Sequence, residues 1–381
     1  MEEWKDYKLR EITNMKNGKK RPHNNGVFPV YGGNGIMDYS DTYNAENTII
    51  VGRVGAYCGC VYKCDGKCWV SDNAISVSAK ELVDSHFLYY LMTTLDFHHH
   101  HIGGAQPLMT QDIIGDFTVS IPPMSVQYQI VQILKSLDDK IEVNRKINEN
   151  LEQQAQALFK SWFEDFEPFK NGEFVESELG MIPKGWEIKS LSEIADYVNG
   201  LAMQKYRPED GEIGIPVLKI KELGQGGFDT NSEYCSPSKI GEKYIIKDGD
   251  IIFSWSGTLM VKIWCGGKCG LNQHLFNVVA KDYPKWFAYQ WTRHHLDNFI
   301  RIAKDKAVTM GHIKRGELDK AKVLIPDSSS MGIVSDIMKP IHLQMISNEL
   351  ESRRLAELRD TLLPKLMSGE LNVFDKPDDQ S

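Results

Sequence analysis

The chain of 381 residues contains one sequence pattern twice, and this internal repeat constrains the fold more than any other feature. The second copy follows the first by 182 residues at its start, by 201 or 202 in its middle and by 204 at its end. A repeat of this length is a whole domain, so we expect two copies of one structural unit. The matching residues include Trp4/Trp186, Leu9/Leu191, Glu11/Glu193, Ile12/Ile194, Ile49/Ile251, Gly55/Gly257, Phe87/Phe287 and Pro122/Pro326.

The change of shift places about twenty extra residues in the second copy, between Ile194 and Ile251. Loops that differ on a common frame are where two copies recognise different targets. Basic residues lie in these loops, which makes them candidate contacts to a polyanion such as DNA, although solvated surface charges would give the same pattern. They are Lys16, Lys19, Lys20 and Arg21 in the first copy and Lys205, Arg207, Lys219 and Lys221 in the second, with Arg53 and Lys306 as further candidates.

The net charge of -8 has the wrong sign for an obvious nucleic-acid binder, but the charge is uneven along the chain. Residues 185–326 hold 20 Lys and Arg against 17 Asp and Glu, a net charge of +3. Any polyanion-binding surface must therefore be a local patch, and a partner can supply part of the positive field.

Within each copy, short β-branched and aromatic runs predict buried strands at residues 47–54 and 250–255. Asp65-Gly66 and Gly266-Gly267 have the composition of two-residue hairpin turns. Residues 87–95 and 286–299 have a helical pattern. Each half is therefore predicted to be a mixed α/β domain of the α+β class, with about 120–140 residues.

A long segment after each copy has the strongest periodicity in the sequence, with apolar residues in alternating steps of four and three, as in a coiled coil. Residues 126–163 would form a helix of about 57 Å. Neither helix buries its seam alone, so we expect an antiparallel pair that separates the two halves and relates them by a pseudo-two-fold axis. Arg359 departs from the apolar pattern, and Pro340 is expected to start or kink the second helix. The seam residues are Ile130, Leu134, Leu137, Ile141, Asn144, Asn148, Leu151, Ala155, Leu158 and Trp162, then Val334, Met338, Ile341, Met345, Asn348, Ser352, Leu355, Arg359, Leu362 and Leu366.

Polar residues in the middle of the seams predict the register of the pair. An antiparallel pair centred on residues 146 and 350 sets residue i opposite residue 496 minus i, so Asn148 faces Asn348 and Asn144 faces Ser352. Polar side chains in an apolar seam are costly unless they meet, which favours this register over slipped ones. The alternative is that these side chains face solvent at a break in the seam.

Four segments resemble the specificity subunit of type I restriction-modification systems. The segment at 55–74 resembles that family's target recognition domain, and the resemblance as a whole spans the full length and reproduces the two-copy organisation. The segments are GAYCGCVYKCDGKCWVSDNA at 55–74, SLDDKIEVNRKINENLEQQAQALFKSWF at 136–163, ELGMIPKGWEIKSL at 178–191 and LRDTLLPKLMSGEL at 358–371.

The resemblance implies two target recognition domains that each read one half of a bipartite double-stranded DNA target, with two antiparallel helices that set the gap and dock the modification subunits. It implies two modification subunits, which methylate adenine N6 with S-adenosylmethionine, and restriction subunits, which use ATP and Mg²⁺ to translocate and cleave DNA. The chain itself is then expected to have no catalytic residue and no cofactor of its own.

The residues agree with a non-catalytic chain, because two common catalytic motifs are missing. Residues 66–68 and 267–269 lack the spacing and the hydroxyl of a Gly-x4-Gly-Lys-Ser/Thr phosphate loop. Residues 121–124, Ile-Pro-Pro-Met, lack the amide and the ring of the Asn/Asp-Pro-Pro-aromatic motif of amino-methyltransferases. A self-contained nuclease or methyltransferase remains one rival interpretation, and a coiled-coil scaffold without a DNA role remains another.

Four cysteines between residues 58 and 68 have the donor set of a zinc site. If Asp65-Gly66 is a turn, however, the first three cysteines share one face and Cys68 lies opposite. The second copy keeps only Cys265 and Cys269 of this group. Buried or edge thiols are therefore favoured, and no metal site is predicted. The four cysteines are Cys58, Cys60, Cys64 and Cys68.

The composition, 41% hydrophobic and 25% charged, is that of a soluble globular protein. We expect a cytoplasmic chain with no membrane contact, because a spanning run and a basic N-terminal signal are both missing. The histidine run at 98–101 is expected in a solvated loop. The predicted segments are 1–123 and 185–330 for the two recognition domains, 124–167 and 331–371 for the helices, 168–184 for a linker and 372–381 for a flexible tail.

Overall fold

The computed structural model describes residues 4–22, 24–104, 106–305 and 311–373. Packing divides the chain into two compact units. The second unit is Ile141–Arg354, and the first unit consists of the described residues on either side of that range. Both units are mixed α/β and each includes part of two long helices, so the predicted fold class is confirmed.

The chain up to residue 163 begins with short strands and small helices and ends in a 40-residue helix. The elements are β1 (Lys5–Lys8), α1 (Leu9–Ile12), β2 (Thr13–Asn17), β3 (Phe28–Gly32), β4 (Gly35–Ser40), β5 (Ala45–Gly52), β6 (Val61–Val70), β7 (Ala74–Ala79), α2 (Ser85–Thr94), α3 (Gln111–Asp116), β8 (Thr118–Ile121) and α4 (Met124–Phe163), with 3-10 helices at Gly55–Tyr57 and Phe97–His100.

The rest of the chain repeats this order with extra elements. They are β9 (Phe174–Ser177), β10 (Gly180–Pro183), β11 (Glu187–Ser190), α5 (Leu191–Ile194), β12 (Ala195–Asn199), β13 (Ile215–Leu218), α6 (Ile220–Gln225), β14 (Tyr234–Cys235), β15 (Ile245–Ile246), β16 (Ile251–Ser254), β17 (Met260–Ile263), β18 (Cys269–Leu271), β19 (Leu275–Ala280), α7 (Lys285–His294), α8 (Leu296–Asp305), α9 (Gly316–Lys320), β20 (Lys322–Ile325) and α10 (Ser328–Met367), with 3-10 helices at Glu167–Phe169, Met203–Lys205 and Glu242–Tyr244.

The main sheet of the first unit has the strand order β2-β7-β5-β6-β3-β4. Its neighbours are antiparallel except β3 and β6, which are parallel. Alternate residues of β5 lie in different apolar clusters, with Ile49 and Val51 against α2 and Ile50 on the opposite side with Tyr31. This is the two-residue period of a strand buried on both faces.

The second unit preserves this frame. Its strands β12, β19 and β16 pair as β2, β7 and β5 do in the first unit, and β11 pairs with β20 as β1 pairs with β8. The parallel contact of β3 with β6 returns between β13 and β18. The repeat seen in the sequence is therefore a repeat of strand pairing, and the extra residues of the second copy lie between β12 and β16.

Each globular core contains one end of each long helix. In the first unit, the start of α4 and the end of α10 contribute Leu134 and Leu366, both fully buried. In the second unit, the end of α4 and the start of α10 contribute Phe163 and Met338. Full burial of each such side chain contributes about 1.5–3 kcal/mol. Each core thus combines helix segments that lie far apart in the sequence. The domain and linker boundaries given in the sequence analysis remain predictions.

The register predicted for the two helices is confirmed in the second unit, where the pair is antiparallel. The Asn348 amide donates to Asn148 Oδ1 at 2.9 Å, and the Asn144 amide lies 3.3 Å from Ser352 Oγ. Asn144 and Asn348 are only 1% and 5% exposed, so the alternative in which they face solvent is wrong.

Arg359, the departure from the apolar seam, has a partner in the first unit. Its Nη1 donates to Asp138 Oδ1 at 2.7 Å, and the Tyr90 hydroxyl donates to Asp138 Oδ2 at 2.6 Å. Both charged side chains are about 30% exposed. Burial and the Asp138 carboxylate raise the pKa of Tyr90, which therefore stays a donor. The arginine joins α10 to α4 and α2 through one carboxylate.

The predicted hairpin turns are wrong. Strand β6 passes through Asp65-Gly66, and these two residues lie opposite the single residue Asn47, which forms a β-bulge. The Asn47 side chain accepts a hydrogen bond from the Gly66 N–H at 2.8 Å. Gly266-Gly267 links β17 to β18, but β17 pairs with β16 and β18 pairs with β13 and β15.

The bulge also corrects the predicted cysteine arrangement. Cys64 and Cys68, on either side of the bulge, lie in the same apolar cluster with Tyr31, whereas Cys58 lies in the main core. Hydrogen bonding to Cys64 and burial raise the pKa of the Cys68 thiol. The same hydrogen bond lowers the pKa of the Cys64 thiol.

Two expectations about helices also change. Helix α10 begins at Ser328 and continues through Pro340, so the proline does not start it. The helical pattern predicted over 286–299 is divided between α7 and α8, with a break at His295. The strand predictions at 47–54 and 250–255 are confirmed by β5 and β16 to within two residues.

We expect Asp138→Ala to lower the free energy of unfolding by about 1–3 kcal/mol, because it removes the carboxylate that accepts from both Arg359 and Tyr90 and leaves Arg359 with Asp360 alone among the described residues. Asp139→Ala is the matched control on the same helix, since Asp139 is exposed and forms an i,i+4 ion pair with Lys135. Asp139→Ala should lower the free energy of unfolding by about 0.5 kcal/mol or less. Denaturant unfolding measures both, and equal losses would contradict the assignment.

Candidate nucleic-acid interface

The basic residues predicted in the first copy lie at and beyond the edge strand β2. Lys16 is an exposed residue of β2, and Lys19 and Lys20 follow that strand and are also exposed. Arg21 Nη2 lies 3.1 Å from Asp38 Oδ2, and each side chain is about 40% exposed. Lys16, Lys19 and Lys20 are therefore the better phosphate candidates of this group, because a carboxylate partner partly offsets the charge of Arg21.

Lys19 and Arg53 flank one turn, residues 71–73, which connects β6 to β7. The Lys19 N–H donates to the carbonyl of Val70 at 3.0 Å, and the Arg53 N–H donates to the carbonyl of Asn73 at 2.9 Å. Arg53 Nη1 also donates to the carbonyl of Asp72 at 3.3 Å. The structure thus brings together two residues that are 34 positions apart in the sequence.

Glycine makes this approach possible. A Cβ atom on Gly18 would lie 1.9 Å from the carbonyl oxygen of Ser71, so no other residue fits there without a backbone shift. Gly55, two residues after Arg53, has a φ of +76°, in the left-handed region that favours glycine.

The basic residues predicted in the second copy differ in their pairing. Lys205 ends the 3-10 helix Met203–Lys205, and both Lys205 and Arg207 are exposed. Lys219 pairs with Glu233 and Lys221 with Asp229, each at 2.6 Å, and these ammonium groups hold the pKa of their partner carboxyls below the usual value. The two ion pairs are locally neutral at pH 7. Lys306 lies outside the described residues.

The second copy has the same turn at residues 272–274, between β18 and β19. Two backbone bonds of the first turn recur: the Gly18 N–H donates to the carbonyl of Ala74 and the Lys19 N–H to that of Val70. In the second turn the Gly200 N–H donates to the carbonyl of Leu275 and the Leu201 N–H to that of Leu271. The residue in the place of Arg53 is Trp255, and Gln273-His274 replaces Asp72-Asn73. A search for basic residues could not find these positions, but the shift of 202 residues from Arg53 points to Trp255.

The histidine run occupies the 3-10 helix Phe97–His100 and the residue after it, and His98, His99 and His100 are exposed. His99 Nδ1 lies 2.7 Å from a carboxylate oxygen of Asp96. Among the described residues, no group of three or more His, Cys, Asp or Glu side chains is arranged to hold a metal ion. No helix in the described ranges has both the length and the apolar character needed to cross a membrane.

Comparison with known proteins identifies the family. A sequence profile described as "Type I restriction modification DNA specificity domain" matches residues 1–153 and 183–359, which is most of the chain in two blocks. The chain belongs to this family. The type I specificity subunit suggested by the sequence resemblance is therefore confirmed.

Relatives of this specificity subunit carry the corresponding names. It is 29% identical over 311 residues to the type I restriction enzyme MjaIX specificity subunit of Methanocaldococcus jannaschii, with 78% of this chain and 72% of that protein covered. It is 24% identical over 331 residues to the HindI specificity subunit of Haemophilus influenzae, with 70% and 72% covered.

A solved structure supports the fold. The S subunit of a type I restriction-modification system from M. genitalium matches with a TM-score of 0.55 at 15% identity, and 96% of each chain is covered. At this identity the match shows the shared fold alone.

We expect Lys19→Ala to weaken DNA binding to all sequences about equally and to reduce the slope of log K against log salt by about 1, because the exposed ammonium can neutralise one phosphate. Lys221→Ala is the control, since Asp229 already pairs with that ammonium. The slope of log K against log salt should change less for Lys221→Ala than for Lys19→Ala. Binding isotherms at several salt concentrations measure both, and equal slope changes would contradict the role of ion pairing.

Proposed function

We propose that the two halves of this specificity subunit read the two halves of a bipartite double-stranded DNA target. The observation that carries the proposal is one strand frame built twice with different loops. Strands β2, β7 and β5 correspond to β12, β19 and β16, while the connections from β2 to β5 and from β12 to β16 differ in length and structure. A common frame gives both halves the same way to approach DNA, and different loops give them different sequences to recognise.

The exposed basic residues contact DNA phosphates and thus orient the protein on the DNA. Lys16, Lys19 and Lys20 serve the first half, and Lys205 and Arg207 serve the second. Contacts to phosphate carry no sequence information, so the base-specific contacts come from other loop residues. With a net charge of -8, the chain alone is expected to bind DNA weakly, and the modification subunits add positive field.

The helix pair is proposed to set the number of unread base pairs between the half-sites. The alignment of the pair is specified by the Asn148–Asn348 hydrogen bond, which a slipped alignment would break. The segments 124–184 and 327–381 each have a net charge of -4, which makes them poor phosphate-binding elements. This acidic character suits contacts with protein.

Two equivalent halves present the same docking surface twice, so we propose that two modification subunits bind each chain. Those subunits would use S-adenosylmethionine to methylate adenine N6, and restriction subunits would use ATP and Mg²⁺. The chain contributes recognition and assembly and has no catalytic role in this scheme.

The modular reading predicts that replacing residues 13–48 with the matching segment of a relative of different specificity changes one half-site only. The segment starts in β2 and ends in β5, so a donor that keeps apolar residues at buried positions 30 and 31 preserves the core. The replaced segment contacts one half-site, and the second unit keeps its own loops and therefore its own half-site. Sequencing of the methylated sites from the assembled complex measures the outcome. Loss of both half-sites in a folded chimera would contradict the proposal.

Lengthening both helices should lengthen the gap. Seven residues inserted after Asn148 and seven after Ser347 preserve the heptad phase and the Asn148–Asn348 pair, and add about 10.5 Å, or about three base pairs. The half-sites should not change.

The control places the same seven residues at Leu179, in the exposed turn between β9 and β10. This insertion lies outside both helices and should leave the gap unchanged. An active two-helix variant with the original gap would show that the helices do not set the spacing.

A further inference from the structure

The turns at 71–73 and 272–274, which we call the shared turns, have one backbone and two sets of side chains. Besides the bonds already described, the Gly55 N–H donates to the carbonyl of Pro107 at 3.1 Å, and the Gly257 N–H donates to that of Gly311 at 3.1 Å. A Cβ on Gly200 would lie 2.2 Å from the Asn272 carbonyl oxygen, as a Cβ on Gly18 would clash with Ser71. Two unrelated loops would not reproduce this set of contacts.

Side chains at matching positions in the shared turns, and at the residue beside each turn, differ in chemistry. Arg53, a cation with five N–H donors, is replaced by Trp255, an indole. The exposed pair Asp72-Asn73 is replaced by Gln273-His274, which is half-buried. A contact that served folding or a common partner would be expected to keep its chemistry in both copies, whereas a contact that reads different bases would not.

The second shared turn contains polar atoms without partners. Within the described residues, Gln273 Oε1 and His274 Nδ1 are buried and have no hydrogen bond. Gln273 Nε2 lies 3.4 Å from His274 Nε2, so in either amide orientation one amide atom stays unpaired. A buried polar group without a partner is costly. Rotation of the amide towards a base edge would relieve that cost on binding.

Trp255 covers this amide-bearing turn on one side. Its ring lies 6.1 Å from the His274 ring and 5.7 Å from the Phe276 ring, and its Nε1–H donates to Asn199 Oδ1 at 3.0 Å. The indole is thus held in one orientation, as a side chain that presents an apolar surface to a base must be.

We propose that the shared turns and the residue beside each of them supply base-specific contacts to DNA, with Arg53 and Asn73 at one half-site and Trp255 and Gln273 at the other. The inference rests on the proposed function and deepens it, because these residues lie outside the divergent loops. A guanidinium pairs with guanine N7 and O6, and the carboxamides of Asn73 and Gln273 pair with adenine N6 and N7. Trp255 offers an apolar face to a thymine methyl group.

Two substitutions test the proposal in the complex of the full chain with its modification subunits. Gln273→Met removes the carboxamide at similar volume, and Arg53→Lys keeps the charge but loses the planar pair of donors. Each complex methylates a DNA pool with randomised half-sites, and the methylated sites are sequenced. Each variant should reduce discrimination about tenfold or more at one base pair of its own half-site, with the other half-site and the gap unchanged.

Gln153→Met, the same substitution at an exposed position of α4, is the control and should leave both half-sites unchanged. Thermal unfolding checks that each variant is folded, and the two variants lie in separate units, so either one decides if the other does not fold. A split target read with unchanged discrimination, or weakened binding to all sequences alike, would overturn this inference alone. A wild-type complex that recognises no split target would contradict the proposed function itself.

Discussion

The burial of the helix ends is the interaction on which the rest of the structure depends. A 40-residue helix with an apolar seam is unstable alone in water, and here each end of α4 and α10 is part of a globular core. Trp162 and Phe163 belong to the core of the second unit, and Ile130 and Leu134 to that of the first. Neither globular half has a complete core without helix residues from both parts of the chain, so the folding of a recognition half and the placement of its helices are one event.

Polar groups in the helix pair specify the alignment of the two helices. Replacing Asn148 and Asn348 by leucine would bury more apolar surface but would also permit shifted alignments of the two helices. Arg359 and Asp138 act in the same way nearer the other end of α4, where a single carboxylate accepts from two elements. These pairs have one geometry that satisfies them, and that geometry specifies how the two helices align.

Much of this architecture could be predicted from the sequence, for identifiable reasons. Periodicity revealed both helices and even their register, because buried asparagines have few acceptable partners. The hairpin at Asp65-Gly66 was wrong since the same dipeptide suits a bulge, and the partner residue Asn47 decides between them only in three dimensions. Base-reading candidates such as Trp255 and Gln273 could not be found by charge. Their proximity depends on strands β16, β18 and β19, whose pairing no local pattern specifies.

The strict glycines beside the shared turns have a consequence for how such a protein can change. Gly18 and Gly200 tolerate no side chain because a backbone carbonyl occupies that space, whereas Asp72 and Asn73 are exposed and their counterparts Gln273 and His274 are half-buried. Mutations can therefore change residues 53, 72 and 73, or their counterparts, one at a time without changing the backbone of the turn. If these residues read bases as proposed, a lineage acquires a new target by point mutation, and the glycine-backed turn limits the damage that each step does to the fold.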